Sequence, residues 1–509
     1  MTRICLPMLF LLSGCHIILP LDSAGDAGTG RSDSGLVDLA PVEASPLKGC
    51  GNGIAEGLED CDGDDLRGAT CDGIGFLGGE LACTAACKLD GRGCLLPPGQ
   101  ASLLHGTAAG LVARRLDLKQ SRWGPRVEVP GLVGTPRWMV NRISPADPRD
   151  EVAAVLTETP AGMRLHLLHF GPSGWALDEA IPLGVSLLDA DKRSFDLIHS
   201  RKSGQALLVY SDGQPNPVYR TYRPDSGWSA ARSVFGTPPG AAPVRWVVLA
   251  ARPSSDEATL LYSDAETYLY GVVWSGSAFD EAKVKDSIDG PMAHPERSFD
   301  AVYQEKSGKL LVTTATLYNS CCGWMLGFAP QPGGPCAWWT FQTLAARPGD
   351  DAVALVGDEA SAAVFDGNGW KPASTSLWPA TAYYDSYGPR WADVAWVGTK
   401  PEALVVHRGW SSDEEPGGRG TLHWATAGLD GAWTRGPGLA VAKMGELNRV
   451  QLESYPAEDR VLALFNDDKG SLWSATFGST WSVPAQLAAN ELAVGYGRPF
   501  SFDLWEASP

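Results

Sequence analysis

Two stretches of the chain read almost alike: LAARPSSDEATLL at residues 249–261 and LAARPGDDAVAL at residues 344–355. Their starts lie 95 residues apart. A second pair, RSFD at 193–196 and again at 297–300, is offset by 104 residues. Each offset is close to two units of about 50 residues, a period typical of repeat architectures. The sequence therefore predicts a fold built from repeated units.

Two markers give the number of units. A Gly-rich turn followed by an aromatic residue recurs at Trp123, Trp175, Trp228, Phe279, Trp339, Trp370, Trp433 and Trp481. An arginine before an apolar run recurs at Arg137, Arg193, Arg245, Arg297, Arg390, Arg449 and Arg498. One further start near Leu344 lacks the arginine, so both markers indicate eight units.

Each unit contains short apolar runs, such as residues 206–210 (ALLVY) and 268–274 (YLYGVVW). Four strands of this length and their turns fill about 50 residues, and continuous apolar runs suit sheets covered on both faces. We therefore predict an all-β fold, a β-propeller of eight four-stranded blades, with seven blades as the alternative.

The two ends of the repeat region are complementary. The segment around Trp123 has the aromatic marker but no arginine start, whereas residues 498–505 are a start with nothing after it. The N- and C-terminal strands should therefore complete one blade and close the ring, which would place Phe502 and Trp123 in the same sheet.

Composition limits the class of protein. The chain has 509 residues, of which 44% are hydrophobic, and it is rich in Gly (59) and Pro (37). These values favour a large folded core with many turns. The net charge of −18 repels polyanions at long range, so we expect no nucleic-acid partner.

The N-terminus indicates export. A short cationic start and the apolar run 4–12 are followed by Leu12-Ser13-Gly14-Cys15. This tetrapeptide resembles the bacterial lipobox, which implies a signal peptide over 1–15, lipidation of Cys15 and anchorage to a membrane. An ordinary cleaved signal is the alternative. Residues 16–49 read as a disordered tether, and the expected location is the cell envelope, at the outer membrane or cell surface.

Residues 50–94 form a predicted cysteine-rich module. In an exported chain, its six cysteines imply three disulfides of undetermined connectivity, at Cys50, Cys61, Cys71, Cys83, Cys87 and Cys94. Zinc ligation at Cys83 and Cys87 is the weaker interpretation. A linker over 95–104 would then lead to the propeller, 105–509. There, Cys322 is expected to pair with Cys336, with a vicinal Cys321–Cys322 bridge as the alternative.

The module opens with CGNGIAEGLEDCD at 50–62. This stretch resembles the calcium loop that opens disintegrin domains, and cysteine-rich repeats of bacterial surface proteins. The resemblance implies calcium as a cofactor, bound by the side chains of Asn52, Glu56, Glu59 and Asp62 and the carbonyl of Ala55. Solvated turns in a disulfide-bonded module are the alternative interpretation of these residues.

The repeats loosely resemble sialidase-type and bacterial lectin propellers, whereas the WD and Gly-His patterns of WD40 repeats are absent. In a propeller, the seven marker arginines would lie at one mouth of the channel. They could bind an anionic ligand, or they could pair with carboxylates and carbonyls of the neighbouring blades. The marker aromatics are expected either between blades or exposed for stacking on a sugar.

We therefore expect an extracytoplasmic, lipid-anchored binding or adhesion protein. Its ligand would be a glycan, another polyanion or a protein. The sequence shows no intact nucleophile, zinc or phosphate-binding motif, so an enzyme is the less favoured hypothesis. The alternative function is a carbohydrate-active hydrolase or lyase on the same scaffold.

Overall fold

The structure is a computed structural model. It describes residues 50–96, 99–184, 192–266, 268–285, 297, 299–314, 323–326, 329–331, 342–357, 362–371, 392–408, 420–493 and 497–505. Cys15, the tether, Cys321, Cys322, Cys336, Trp339 and Arg390 lie outside these residues. Within the described residues, helix is limited to single 3-10 turns at Asp72–Ile74, Gly91–Gly93 and Pro456–Glu458, and no helix has the length and apolarity needed to cross a membrane.

The described strands of the repeat region form eight antiparallel sheets of three to five strands. We number these blades by the chain position of the innermost strand, and each is given from the inside outward. Blade 1 comprises Thr135–Ile143, Glu151–Thr159, Gly162–Gly171 and Gly174–Pro182, and blade 2 comprises Phe195–His199, Ala206–Tyr210, Val218–Arg223, Gly227–Trp228 and Arg232–Ser233. Blade 3 comprises Val244–Ala251, Ala258–Asp264, Leu269–Trp274 and Phe279–Lys285, and blade 4 comprises Phe299–Tyr303, Leu310–Thr314, Gly323–Leu326 and Ala329–Gln331.

Blade 5 comprises Gln342–Ala346, Val353–Gly357 and Ala362–Phe365, and blade 6 comprises Ala392–Trp396, Glu402–Arg408, Thr421–Gly428, Trp433–Arg435 and Leu439–Ala440. Blade 7 comprises Leu447–Tyr455, Arg460–Asp467, Leu472–Phe477 and Ala485–Ala488, and blade 8 comprises Phe500–Trp505, Gln100–Thr107, Gly110–Asp117, Arg122–Trp123 and Val127–Val129. The first propeller strand thus begins at Gln100, five residues before the expected boundary at 105.

The innermost strands contact one another in ring order, from blade 1 through blade 8 and back to blade 1. Blade 8 joins the two ends of the repeat region: Phe502 pairs with Leu103, and Trp123 lies in the same sheet. The predicted all-β propeller, its eight blades and its closure by terminal strands are therefore confirmed. Closure shields the edges of the innermost strands inside the ring.

Both faces of a blade are buried, as the apolar runs predicted. In the strand Ala206–Tyr210, Leu208 packs in the cluster shared with blade 1, whereas Leu207 and Val209 pack in the cluster shared with blade 3. Successive side chains of a strand point to opposite faces, so an uninterrupted apolar run covers both. The described marker aromatics are buried or half-buried in these clusters, which supports the interpretation that they lie between blades.

The turn within the repeated LAARP stretch binds the neighbouring blade. The carboxylate of Asp256 accepts the amide of Ser203 in the preceding blade at 2.9 Å, and that of Asp351 accepts the amide of Ser307 at 2.7 Å. Asp459 accepts the amide of Thr399 in the same way, at 2.9 Å. Each odd-numbered blade from 3 to 7 thus binds the turn of the even-numbered blade before it. The offsets near 100 residues therefore reflect pairs of blades.

The cysteine-rich module has three disulfides, which confirms the predicted framework: Cys50–Cys87, Cys61–Cys83 and Cys71–Cys94. It packs on the propeller instead of standing apart from it. The ring of Phe76 lies 4.9 Å from that of Phe170 in blade 1, and the Arg115 guanidinium of blade 8 donates to the carbonyl of Gly75 at 3.1 Å. The amide of Gly91 also donates to the carbonyl of Pro172.

Candidate functional site

The eight innermost strands surround the propeller axis, and side chains from several of them interact across it. Arg498 of blade 8 is electrostatically coupled to Arg193 of blade 2 and Asp393 of blade 6. Arg142 of blade 1 is coupled to Glu453 of blade 7. Because these pairs join blades that are not neighbours, the charges share one space, which we call the axial channel.

Two of the predicted ligand arginines are buried and paired. The Arg193 guanidinium donates to Asp196 at 3.2 Å and to the carbonyl of Val247 in blade 3 at 3.4 Å. Likewise, the Arg297 guanidinium donates to Asp300 and to the carbonyl of Gln342 in blade 5, both at 3.1 Å. These contacts match the structural alternative for the arginines, in which each ties its blade to the next.

The carboxylates of these pairs also join blades. Asp196 accepts the amide of Leu249, and Asp300 accepts that of Leu344, both at 2.9 Å. Asp393 accepts the amide of Leu452 at 2.8 Å. We call these acceptors the blade clamps: one carboxylate on each of the even-numbered blades 2, 4 and 6 fixes the inner strand of the following blade.

The remaining arginines are placed differently. Arg137 is half-buried and paired with Glu158, and Arg245 is half-buried. Arg449 is buried, with its guanidinium 5.8 Å from the ring centre of Trp138. The structure therefore does not bring the six described arginines together as one exposed collar. A ligand role for them stays a prediction.

Blade 8 departs from the clamp pattern. Where blades 2 and 4 read RSFD, it reads RPFSFD from Arg498 to Asp503. Ser501 takes the clamp position and accepts the amide of Asn141 through its hydroxyl at 3.2 Å. The acid lies two residues later: Asp503 accepts the amide of Ile143 at 2.8 Å and forms an ion pair with Arg142 at 3.5 Å.

Arg142, Glu453 and Asp503 form a charged group that sequence reasoning missed. Each is only partly buried: 29% of the Arg142 side chain and 18% of the Asp503 side chain are exposed, and Glu453 is intermediate. They lie on the neighbouring inner strands of blades 1, 7 and 8, and we call them the axial charged group.

The repeat does not require this group. Arg142 and Glu453 each come directly after the residue whose backbone amide donates to a clamp side chain. In blades 3 and 5, the residues at the same position are Ala250 and Ala345. Asp503 lies two residues after the clamp, where the other even-numbered blades have Ile198, Val302 and Ala395. Aligning the repeat units on the clamp could have revealed the group from sequence.

The pKa values of the group are shifted by burial. Burial raises the pKa of Glu453 to about 7; Arg142 opposes this shift and Asp503 reinforces it. The amide of Gln451 donates to the Glu453 carboxyl at 3.0 Å. Burial also raises the pKa of Asp503, against the effect of Arg142. The axial channel thus holds a carboxyl group, that of Glu453, whose pKa lies near neutral pH.

The predicted calcium ligands lie in one loop, but most of their oxygens already have partners. The Asp62 carboxylate accepts the amides of Gly51 and Asn52 at 3.0 and 2.9 Å. The Arg67 guanidinium donates to the carbonyl of Ala55 at 3.1 Å, where the ion would coordinate. This arrangement does not fit a calcium ion, because a protein cation already lies at that carbonyl.

The other candidate ligands are bonded within the loop. The Glu59 carboxylate accepts the amide of Glu56 at 3.0 Å, and the side-chain amide of Asn52 donates to Glu56 at 3.3 Å. Calcium binding therefore stays a prediction that requires the loop to rearrange. Cys83 and Cys87, the residues of the zinc interpretation, are both used in disulfides.

No family model matches the chain, and neither does any curated protein. Among solved structures, the BP39L lectin from Burkholderia pseudomallei is 12% identical, with 69% of this chain and 99% of the lectin covered and a TM-score of 0.46. The periplasmic gluconolactonase of Pseudomonas aeruginosa is 13% identical, with 79% and 99% covered and a TM-score of 0.43.

The six-bladed lectin of Aleuria aurantia, described with its mode of fucose recognition, is 11% identical, with 58% of this chain and 78% of the lectin covered and a TM-score of 0.32. The similar structures thus include lectins, the class of propeller that the repeats were predicted to resemble. At these values the similarity concerns the fold alone.

Proposed function

We propose that this chain is an exported, lipid-anchored binding protein that recognises a glycan at its axial channel. The observation that carries the proposal is the axial charged group, Arg142, Glu453 and Asp503. It replaces small or apolar residues of the other blades and remains partly accessible. The repeat does not need these charged side chains, and burying them costs free energy. Their presence therefore favours a role in recognition.

The chemistry of the group suits a sugar. Carboxylates accept hydrogen bonds from hydroxyl groups, and a guanidinium donates several in fixed directions. Here Arg142 and Asp503 lie within 3.5 Å of each other, and Gln451 holds Glu453. A hydroxyl-rich ligand could exchange hydrogen bonds with all three members of the group.

A glycan array tests this proposal with the full-length protein. We expect wild-type binding to be lost when Arg142→Gln, Glu453→Gln and Asp503→Asn are combined. The matched control is Arg126→Gln with Glu128→Gln, which removes a surface ion pair of 2.9 Å in the same chain. Equal signals from wild type and the triple variant would refute the proposal.

The alternative function, a carbohydrate-active hydrolase, is favoured by one observation. Glu453 has a pKa raised to about 7 and is electrostatically coupled to a second carboxyl, Asp503. A general acid needs a pKa near the working pH, and glycoside cleavage commonly uses two carboxyl groups. Glu453→Gln would then abolish release of a fluorogenic sugar while binding persists, whereas a pure binding protein shows no release in either form.

The anchor is proposed from the sequence of the N-terminus. Leu12-Ser13-Gly14-Cys15 would direct diacylglyceryl transfer to Cys15, and residues 16–49 would separate the propeller from the membrane. Labelling with a radioactive fatty acid should mark the wild-type chain and not Cys15→Ser. Labelling of both would place the lipid elsewhere.

A further inference from the structure

Arg498 differs from the other described arginines that start an even-numbered blade. Arg193 and Arg297 each have a carboxylate three residues later, at 3.2 and 3.1 Å. In blade 8 the corresponding residue is Ser501, whose hydroxyl accepts the amide of Asn141. The serine preserves the blade clamp but removes the anion that would neutralise Arg498.

Arg498 is nevertheless buried, with 8% of the residue exposed. Within the part of the chain that the structure describes, its guanidinium makes no hydrogen bond or ion pair, and its Nε is buried without an acceptor. Its guanidinium carbon lies 6.0 Å from the centre of the Phe500 ring. A buried cation without a directly bonded anion is costly, so the site has a physical reason to bind an anion.

The surroundings specify the charge of that anion. The pKa of Arg498 is lowered to about 9: burial is the largest cause and Arg193 and Arg142 act in the same sense, whereas Asp393 and Glu453 raise it. The two arginines attract an anion to this part of the channel. The two carboxyl groups repel a second negative charge, so a monoanion fits better than a dianion.

We propose that Arg498 forms a subsite for one carboxylate group, carried by an acidic sugar. This inference rests on the proposed glycan-binding function and names the ligand class for the same channel. A carboxylate has the charge and the planar pair of oxygens that a guanidinium binds through two parallel hydrogen bonds. It would occupy the place that Asp196 and Asp300 occupy beside Arg193 and Arg297.

The repeat itself supplies a sharp test. Ser501→Asp gives Arg498 the carboxylate that blades 2 and 4 have, so the chain should become more heat-stable and lose its anion site. Ser501→Asn has the same shape without the charge and is the matched control. Arg498→Gln removes the cation directly. Binding of sodium glucuronate, glucose and inorganic phosphate to the full-length protein in detergent is measured by calorimetry.

We expect glucuronate to bind both wild type and Ser501→Asn. It should bind Ser501→Asp and Arg498→Gln at least about tenfold more weakly, because each variant loses one strong charge-assisted contact. Glucose and phosphate should bind more weakly than glucuronate to the wild-type protein. Undiminished glucuronate binding by a folded Ser501→Asp chain, or phosphate binding tighter than glucuronate binding, would overturn the inference.

The two proposals can fail separately. If glucuronate binds through Arg498 but no glycan binds the array, the subsite stands and the proposed glycan function fails. If a neutral glycan binds through the axial charged group and Ser501→Asp leaves that binding intact, the function stands and the carboxylate subsite fails.

Discussion

The carboxylate of Asp300 joins two blades through one side chain. It accepts the backbone amide of Leu344 in blade 5 at 2.9 Å and pairs with the Arg297 guanidinium at 3.1 Å. Because Arg297 also donates to the carbonyl of Gln342, both members of the pair contact the same strand of the neighbouring blade. This geometry explains why arginine and aspartate recur three residues apart.

Removing this carboxylate should leave a buried arginine without its anion. We expect Asp300→Ala to lower the free energy of unfolding by about 3–5 kcal/mol, and Asp300→Asn, which keeps an acceptor for Leu344, by less. Urea denaturation measures both. The exposed Asp225→Ala is the control and should change stability by less than about 0.5 kcal/mol. An equal, small effect of all three variants would contradict the clamp.

Glu453 should make stability depend on pH. Its pKa rises from 4.5 to about 7 on folding, so the folded chain holds the proton more tightly than the unfolded chain. Its contribution is therefore present below about pH 4.5 and is lost as the pH rises through 7. Between about pH 5 and pH 8, wild type should lose more stability than Glu453→Gln, measured by urea denaturation at each pH. Parallel profiles would show that Glu453 does not titrate there.

At the scale of elements, the cysteine-rich module is attached to the propeller by packing as well as by the chain. Phe76 is 1% exposed and contacts Phe170. The Arg115 guanidinium lies over the Phe170 ring and donates to the carbonyl of Gly75. Arg115 in turn pairs with the buried Glu151 at 2.7 Å. The module therefore covers one side of the junction between blades 8 and 1.

We expect Phe76→Ala to loosen this docking at a cost of about 3–5 kcal/mol, because a fully buried ring is removed. The three disulfides should keep the module itself folded. Hydrogen exchange should then increase at the interface, in residues 71–76 and 170–175, and not inside the propeller. Leu58→Ala, at a side chain that is 87% exposed, is the control. Unchanged exchange in the Phe76 variant would mean that docking does not depend on this contact.

At the scale of the whole molecule, the ring depends on one strand from the end of the chain. The strand Phe500–Trp505 pairs with Gln100–Thr107 and contacts the inner strand of blade 1. Phe502 lies in this strand with no exposed surface. Without it, the neighbouring strands would present free edges to other chains.

Phe502→Asp should therefore open the ring, because it buries a charge in the closing strand. We expect an enlarged radius of gyration and self-association, seen by size-exclusion chromatography with X-ray scattering. Phe502→Leu keeps an apolar side chain and should remain a compact particle. A compact Phe502→Asp particle indistinguishable from wild type would show that closure does not require this residue.

The sequence alone determined the repeat, the all-β class, the closure of blade 8 and the presence of three disulfides in the module. Each follows from local pattern: apolar runs specify strands buried on both faces, and paired copies of LAARP and RSFD recur with the blades. Connectivity of the six cysteines did not follow, because spacing does not specify which sulfurs meet.

Only the tertiary structure decided what the charged residues do. Arg193, Arg297 and Arg498 each start a repeat unit in the sequence, yet the first two pair with a clamp carboxylate and Arg498 does not. Arg142, Glu453 and Asp503 are far apart along the chain and become coupled when the ring closes. Burial and charge at the axis depend on which strands surround it, and that is set by closure of the whole ring.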